Sequence, residues 1–242
     1  VLFDVVLLAL TASSKVAVQA SAKELRRLSA MDGVKADNME ALIPVVRKRV
    51  EEYMSHYDAS HDFQHILRVV HSAHRIYDSM DTSGMSRDIV TLAALLHDVG
   101  DRKYIKPDED PARLVHDLLR SIGASETVAA QVQAICLGVS YSSEVKDPER
   151  VRRLIEQYPE LAIVQDADRL DAIGAVGIGR VFTFGGATNR SLADSMEHFD
   201  EKLVKVEGMM KTSVGKQLAG ERTERLRKMQ EWWAEETSGL DQ

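Results

Sequence analysis

The chain has almost no cysteine: Cys136 is alone among 242 residues. An internal disulfide is therefore excluded, as is a thiolate zinc cage, which needs several such ligands. Proline is scarce too, at five, and no stretch alternates apolar and polar residues between hairpin turns, so strands are not expected to shape the fold. Excess positive charge is also missing. The formal net charge is −7 and the pI about 5.6, whereas a phosphate-backbone surface draws its affinity from clustered Lys and Arg that release counterions. Long nucleic acid is not an expected partner. No apolar run reaches membrane-spanning length, which takes about 20 residues, so no membrane association is expected either.

The opening "VLFDVVLLAL" is apolar, but it is interrupted by Asp4 and followed by Lys15. "VAVQA" at 16–20 has the small residues of a signal-cleavage site, yet no basic n-region precedes it. Residues 1–35 read as a leader or an extra N-terminal helix, and the start without methionine reads as trimmed. The expected location is cytoplasmic, with secretion or organelle targeting left open by that leader. Residues 36–242 read as one domain. A hydrophobic content of 44% suffices for a core, and no repeat, low-complexity linker or composition shift divides the segment.

What the chain does have is the 3.6-residue periodicity of helices. Met39, Leu42, Ile43, Val46, Val50 and Tyr53 share one face of a helix over 39–56. Ile66, Val69, Val70, Ala73, Ile76 and Tyr77 do the same over 62–80, with His65 and Arg68 on the edge. After the break "MDTSGM", Ser86 can cap a helix to about 98 whose Ile89, Val90, Leu92, Ala93, Ala94, Leu95 and Leu96 are apolar nearly all round. This is predicted to be the central, most buried helix. Further helices are expected at 110–121, 125–137, 147–157, 160–174, 192–210 and 215–236. The fold class is all-α, a helical bundle. The last helix carries Leu226, Met229, Trp232 and Trp233 and packs on the core or on a second subunit, so a homodimer is among the expected assemblies. The one Gly-rich segment, "GIGRVFTFGGATNRS" at 177–191, lacks the Lys-Ser/Thr ending and the preceding strand of a P-loop. It reads as a structural turn, with a substrate-facing lid or wall as the alternative.

The chemistry is concentrated where the central helix ends, in "TLAALLHDVGDRKYI". Imidazole and carboxylate are metal ligands, but neighbours on a helix point about 100° apart, so His97 and Asp98 can reach one ion only beyond the helix end and with help from other elements. His65 is one candidate partner, with His61 four residues earlier on the same face. Asp168 is the other: Ile163, Val164, Ala167 and Leu170 form an apolar stripe beside it, too near a core for an unpaired charge.

Three segments together, "SHDFQHILRVV", "LAALLHDVGDRKY" and "IVQDADRLDAIGAVGIGRVFTFGG", resemble the HD-domain metal-dependent phosphohydrolase superfamily, in particular its small single-domain branch that acts on nucleotides. The resemblance covers roughly residues 40–235. It implies a helical bundle with a metal site between central helices, and its H…HD…D ligands fall on His65, His97, Asp98 and Asp168. Two imidazoles and two carboxylates suit a divalent transition metal, Mn²⁺ first, then Fe²⁺, Co²⁺, Ni²⁺ or Zn²⁺, better than Mg²⁺.

One such ion with open positions points to phosphoester or phosphoanhydride hydrolysis. Asp101 matches an acidic position that follows the His-Asp pair in several members of the superfamily, and it is a candidate for handling the proton of the attacking water. His61 is the second catalytic candidate. Lys103, Arg68 and Arg169 are candidates for neutralising phosphate. Phe182 and Phe184 are available to stack on a base or to pack in the core. The branch implies a nucleoside triphosphate, a deoxynucleotide among the options, split to monophosphate and pyrophosphate. Many relatives carry a polar Asn or His near the position of Gly138 in "ICLGVSYSSE", and this chain does not; substrate contacts from that helix end are not carried over.

Three rival readings stand beside this one. Dinuclear HD enzymes use further histidines between the His-Asp pair and the last Asp, and here only His116 lies between them. A single-metal hydratase of a small molecule on the same fold is an alternative, to which three basic candidates are poorly suited. A non-catalytic nucleotide-binding module is the other, against which the intact ligand set argues.

Overall fold

The computed structural model describes residues 38–55, 62–100 and 110–239. The expected leader, together with His61, Asp101 and Lys103, lies outside the described residues. Helices α1 (Met39–Met54), α2 (Phe63–Asp78) and α3 (Arg87–Leu96) come first. Asp62 starts α2 by accepting the His65 amide at 3.0 Å, and Ser86 starts α3 by accepting the Ile89 amide at 3.3 Å. Each side chain satisfies a donor left without a partner inside its helix. In α3 every residue from Ile89 to Leu96 is buried, as an all-round apolar surface requires. It packs against α1 and α2 and, later in the chain, against two more helices.

Next come α4 (Leu114–Ser121), α5 (Glu126–Val139), α6 (Tyr141–Lys146), α7 (Pro148–Gln157) and α8 (Glu160–Asp171). Helix α3 lies against α5 and α8, and α8 also packs along α2. Leu92, Leu96, Ile66, Ile135, Leu161 and Leu170 are fully buried where these helices meet. No strand occurs among the described residues, so the all-α reading stands. No described helix is long and apolar enough to cross a membrane.

The Gly-rich segment is corrected by the structure. It is neither turn nor lid over most of its length but helix α9, Gly174–Ala187. Two of its glycines serve close packing: a Cβ on Gly177 would lie 2.3 Å from the Ala172 carbonyl oxygen, and one on Gly185 2.5 Å from Ser195 Oγ. The chain turns only afterwards, where Asn189 takes a φ of 56°, a left-handed conformation that Asn tolerates better than most residues.

The helix expected over 192–210 is also not uniform. It runs as α10 (Leu192–His198), a π-helical turn (Phe199–Leu203) and a 3₁₀ segment (Val204–Met209). Ser195, Met196, Phe199, Leu203, Val206 and Met210 are buried along it. The final helix α11 (Ser213–Thr237) packs on α8 and α9. Its entry is fixed by Asp166, fully buried on α8, which accepts from the Lys211 and Thr212 amides at 2.8 Å each and from the Thr212 hydroxyl at 2.7 Å.

Candidate metal centre

The buried face of α2 carries His65 among Ile66, Val69 and Ala73, so its imidazole points inward toward α3 and α8. His97 is the C-cap of α3. Asp98 follows it in the turn that ends the helix. Asp168 projects from the last turn of α8.

The four side chains converge. His65 Nε2 lies 3.2 Å from His97 Nε2, 3.3 Å from Asp98 Oδ2 and 3.5 Å from Asp168 Oδ1. His97 Nε2 lies 3.4 Å from Asp98 Oδ1 and 3.6 Å from Asp168 Oδ1. Both imidazoles are 1% exposed, while Asp98 and Asp168 are 19% and 28% exposed. The site is therefore closed on its histidine side and open to solvent past its carboxylates.

The outer ring nitrogens establish what this cluster can bind. His97 Nδ1 is 2.8 Å from the Ala94 carbonyl oxygen, and a carbonyl can only accept, so Nδ1 carries a proton. His65 Nδ1 is 2.7 Å from Asp171 Oδ2 and donates to that carboxylate. Each neutral ring then turns its Nε2 lone pair to the centre, where carboxylate oxygens add further lone pairs. Four acceptors facing one another fit a cation between them. The carboxylates also favour a proton on the ring: burial opposes the imidazolium of His97, but Asp98 and Asp168 outweigh it and raise its pKa to about 9. Burial likewise opposes the charged form of His65, and Asp171 and Asp98 raise it nonetheless. His65, His97 and Asp98 have ligand atoms within 4.8 Å of one another, and imidazole nitrogen with carboxylate oxygen is the donor set of divalent metals.

Two arginines expected to meet phosphate are placed as follows. Arg68 grips Asp171 with both ends of its fork, Nε to Oδ1 at 2.7 Å and Nη2 to Oδ2 at 3.0 Å. Arg169, 2% exposed, is bonded through Nη2 to Glu144 and through Nη1 to the Met209 carbonyl at 3.1 Å. Lys211 reaches the same Glu144 at 2.7 Å. The guanidinium of Arg169 is thus held in a buried ion-pair network, and a direct phosphate contact would have to break it. Phe182 packs against the core and lies 6.3 Å from Phe199, centroid to centroid. His116 is bonded to Asp117 and Glu126. Cys136 is buried, and burial pushes its thiol up, leaving it a weak donor to the Ala93 carbonyl.

Sequence reasoning passed over Asp171 and Glu144. The signal for Asp171 was its position one helical turn after Asp168; Glu144 offered none, since its partners come from distant segments.

A family model of the HD domain matches residues 62–173. YpgQ of Bacillus subtilis is 34% identical over 188 residues, covering 73% of this chain and 84% of YpgQ. The chain belongs to the HD-domain family. The crystal structure of YpgQ in complex with ADP superposes with a TM-score of 0.66 at 31% identity, over 82% of this chain and 99% of YpgQ. An HD-superfamily hydrolase from Bacillus thuringiensis gives a TM-score of 0.63 at 29% identity, over 84% of this chain and 100% of that structure. Family membership and the buried His/His/Asp cluster together make this HD protein a metal-dependent hydrolase.

Proposed function

We propose that this HD protein hydrolyses nucleotides, a nucleoside triphosphate being split to monophosphate and pyrophosphate, with His65, His97, Asp98 and Asp168 holding one divalent transition metal, manganese by preference. The observation that carries the reading is the convergence of four ligand side chains from α2, the end of α3 and α8, closed behind the histidines and open past the carboxylates. The ADP bound in the YpgQ structure supports a nucleotide as the substrate class.

The ion, when bound, supplies a Lewis acid that polarises a phosphoryl oxygen and lowers the pKa of water. The chain's own residues do the rest. Asp98 and Asp168, on the solvent side, leave the approach for the phosphate group beside them. Asp101 is assigned the proton of the attacking water, with His61 as the second proton-handling group. Lys103 and Arg68 are assigned the neutralisation of phosphate charge, and Arg169 contributes by holding Glu144.

The test is release of phosphate and pyrophosphate from a panel of ribo- and deoxynucleotides by metal-stripped protein, with Mn²⁺, Co²⁺, Ni²⁺, Zn²⁺ or Mg²⁺ restored one at a time. Pyrophosphate release that disappears in His97→Ala and Asp98→Ala supports the proposal. Silence across the panel from protein that binds the metal refutes the nucleotide assignment.

A further inference from the structure

The shortest polar contact made by His65 points away from the cluster. Its Nδ1 lies 2.7 Å from Asp171 Oδ2, with the imidazole 1% and the carboxylate 3% exposed. Asp171 stands three residues after Asp168 on α8, so one helix supplies both a ligand and the group that holds another ligand from behind. The carboxylate is itself immobilised. Arg68, three residues after His65 on α2, bonds both of its oxygens, and Arg180 on α9 adds a contact to Oδ2 at 3.1 Å. Side chains from two other helices thus fix the plane of the Asp171 carboxylate, which fixes the plane of the His65 ring.

We propose that Asp171 is a positioning residue of the metal site: it keeps the proton of His65 on Nδ1 and aims Nε2 at the space shared with His97, Asp98 and Asp168. The inference rests on the metal-hydrolase reading given above. Asp171 touches neither ion nor substrate and acts only through the imidazole. A carboxylate accepting from the outer nitrogen of a ligand histidine orients the ring and makes the inner nitrogen more basic. Tying α2 to α8 requires no charge, because buried ion pairs recover their desolvation cost poorly and apolar contacts join helices at least as well. A fixed tautomer does require an acceptor at this atom.

Metal-stripped wild type and Asp171→Asn are titrated with Co²⁺ while its visible d–d absorption is followed, and each metal-free protein is melted by far-UV circular dichroism. The asparagine keeps the shape and one acceptor oxygen but loses the charge. The expected result is Co²⁺ binding weaker by about 10- to 100-fold with a changed absorption band and an unchanged far-UV spectrum. Equal Co²⁺ affinity and an identical band, whatever happens to the melting temperature, overturn the proposal and leave Asp171 a hub for arginines. If the variant does not fold, ¹⁵N spectra of Zn²⁺-loaded wild type decide: a slowly exchanging Nδ1 proton on His65 supports the proposal, and a rapidly exchanging one overturns it. Wild type that binds no Co²⁺ fails the metal-hydrolase reading itself and is distinguished by that from failure of the role given to Asp171.

Discussion

His65 Nε2 and His97 Nε2 stand 3.2 Å apart while the protons on their outer nitrogens are committed to Asp171 and to the Ala94 carbonyl. Two ring acceptors at that distance, beside two carboxylates, repel until a cation or protons come between them. Metal that binds this arrangement and not the unfolded chain must stabilise the fold. At a free metal concentration of 100 times Kd the gain is about 2.7 kcal/mol. Thermal melts with and without Mn²⁺ or Co²⁺ should show an upward shift in wild type that is absent in His97→Ala. A shift of the same size in that variant would place the ion somewhere other than between these two rings.

The four candidate ligands could be picked out in the sequence because each element carried its own local signal. The apolar stripe of α2 has His65 on its edge, the central helix ends at His97, and Asp168 borders the stripe of α8. What could not be read is what depends on close contacts and local winding that an apolar pattern does not carry. Glycines in 177–191 signalled a turn because glycine disfavours helix, yet Gly177 is there because the Ala172 carbonyl leaves no room for a Cβ. The supposed continuity of 192–210 failed where the chain passes into a π-helical turn at Phe199, a change of winding that an apolar pattern of period three to four does not announce. Arg169 next to Asp168 invited a phosphate-binding role, but Glu144, 25 positions earlier, meets it in the interior.

Two glycines of α11 should respond to alanine in opposite directions. A Cβ on Gly215 would lie 2.2 Å from Asp166 Oδ2, and that oxygen is pinned by the amide and hydroxyl of Thr212. Gly215→Ala is expected to cost about 1–3 kcal/mol, the range of overpacked sites. A Cβ on Gly220 meets only Glu207 Oε1, at an ordinary 3.5 Å. Gly220→Ala should therefore stabilise by about 0.4–1 kcal/mol through lower entropy of the unfolded chain. Urea denaturation of both variants checks the pair, and loss of stability at Gly220 would show that α11 has no slack on that face.

Truncating the central helix should be among the costliest apolar changes. Leu92 is fully buried in α3, which is packed by α1, α2, α5 and α8, so no neighbour can collapse far into the space. Leu92→Ala is expected to lose about 2–5 kcal/mol, read as a lower urea midpoint at an unchanged slope. A loss below about 1 kcal/mol would mean that the surrounding helices relax into the gap.

Glu144 links acid stability to the buried Arg169. Burial opposes its carboxylate, but Lys211 and Arg169 outweigh burial and hold the pKa below the ordinary glutamate value. A lowered folded pKa gives stability that is complete above the unfolded value, near 4.5, and is lost as pH falls through the lower folded value. Removing the carboxylate at neutral pH strands a guanidinium that is 2% exposed, so Glu144→Ala should cost about 3–5 kcal/mol, and Glu144→Gln, which keeps a hydrogen-bond acceptor, should cost less. The gap between wild type and Glu144→Gln should narrow as pH falls below about 4.5, because the unfolded wild-type chain then takes up a proton on Glu144 that the folded protein accepts only at lower pH. Urea midpoints of the two proteins at pH 7 and at about pH 3.5 measure it. A gap that stays constant across that interval would mean that the hydrogen bonds of Glu144, and not its charge, hold Arg169 in place.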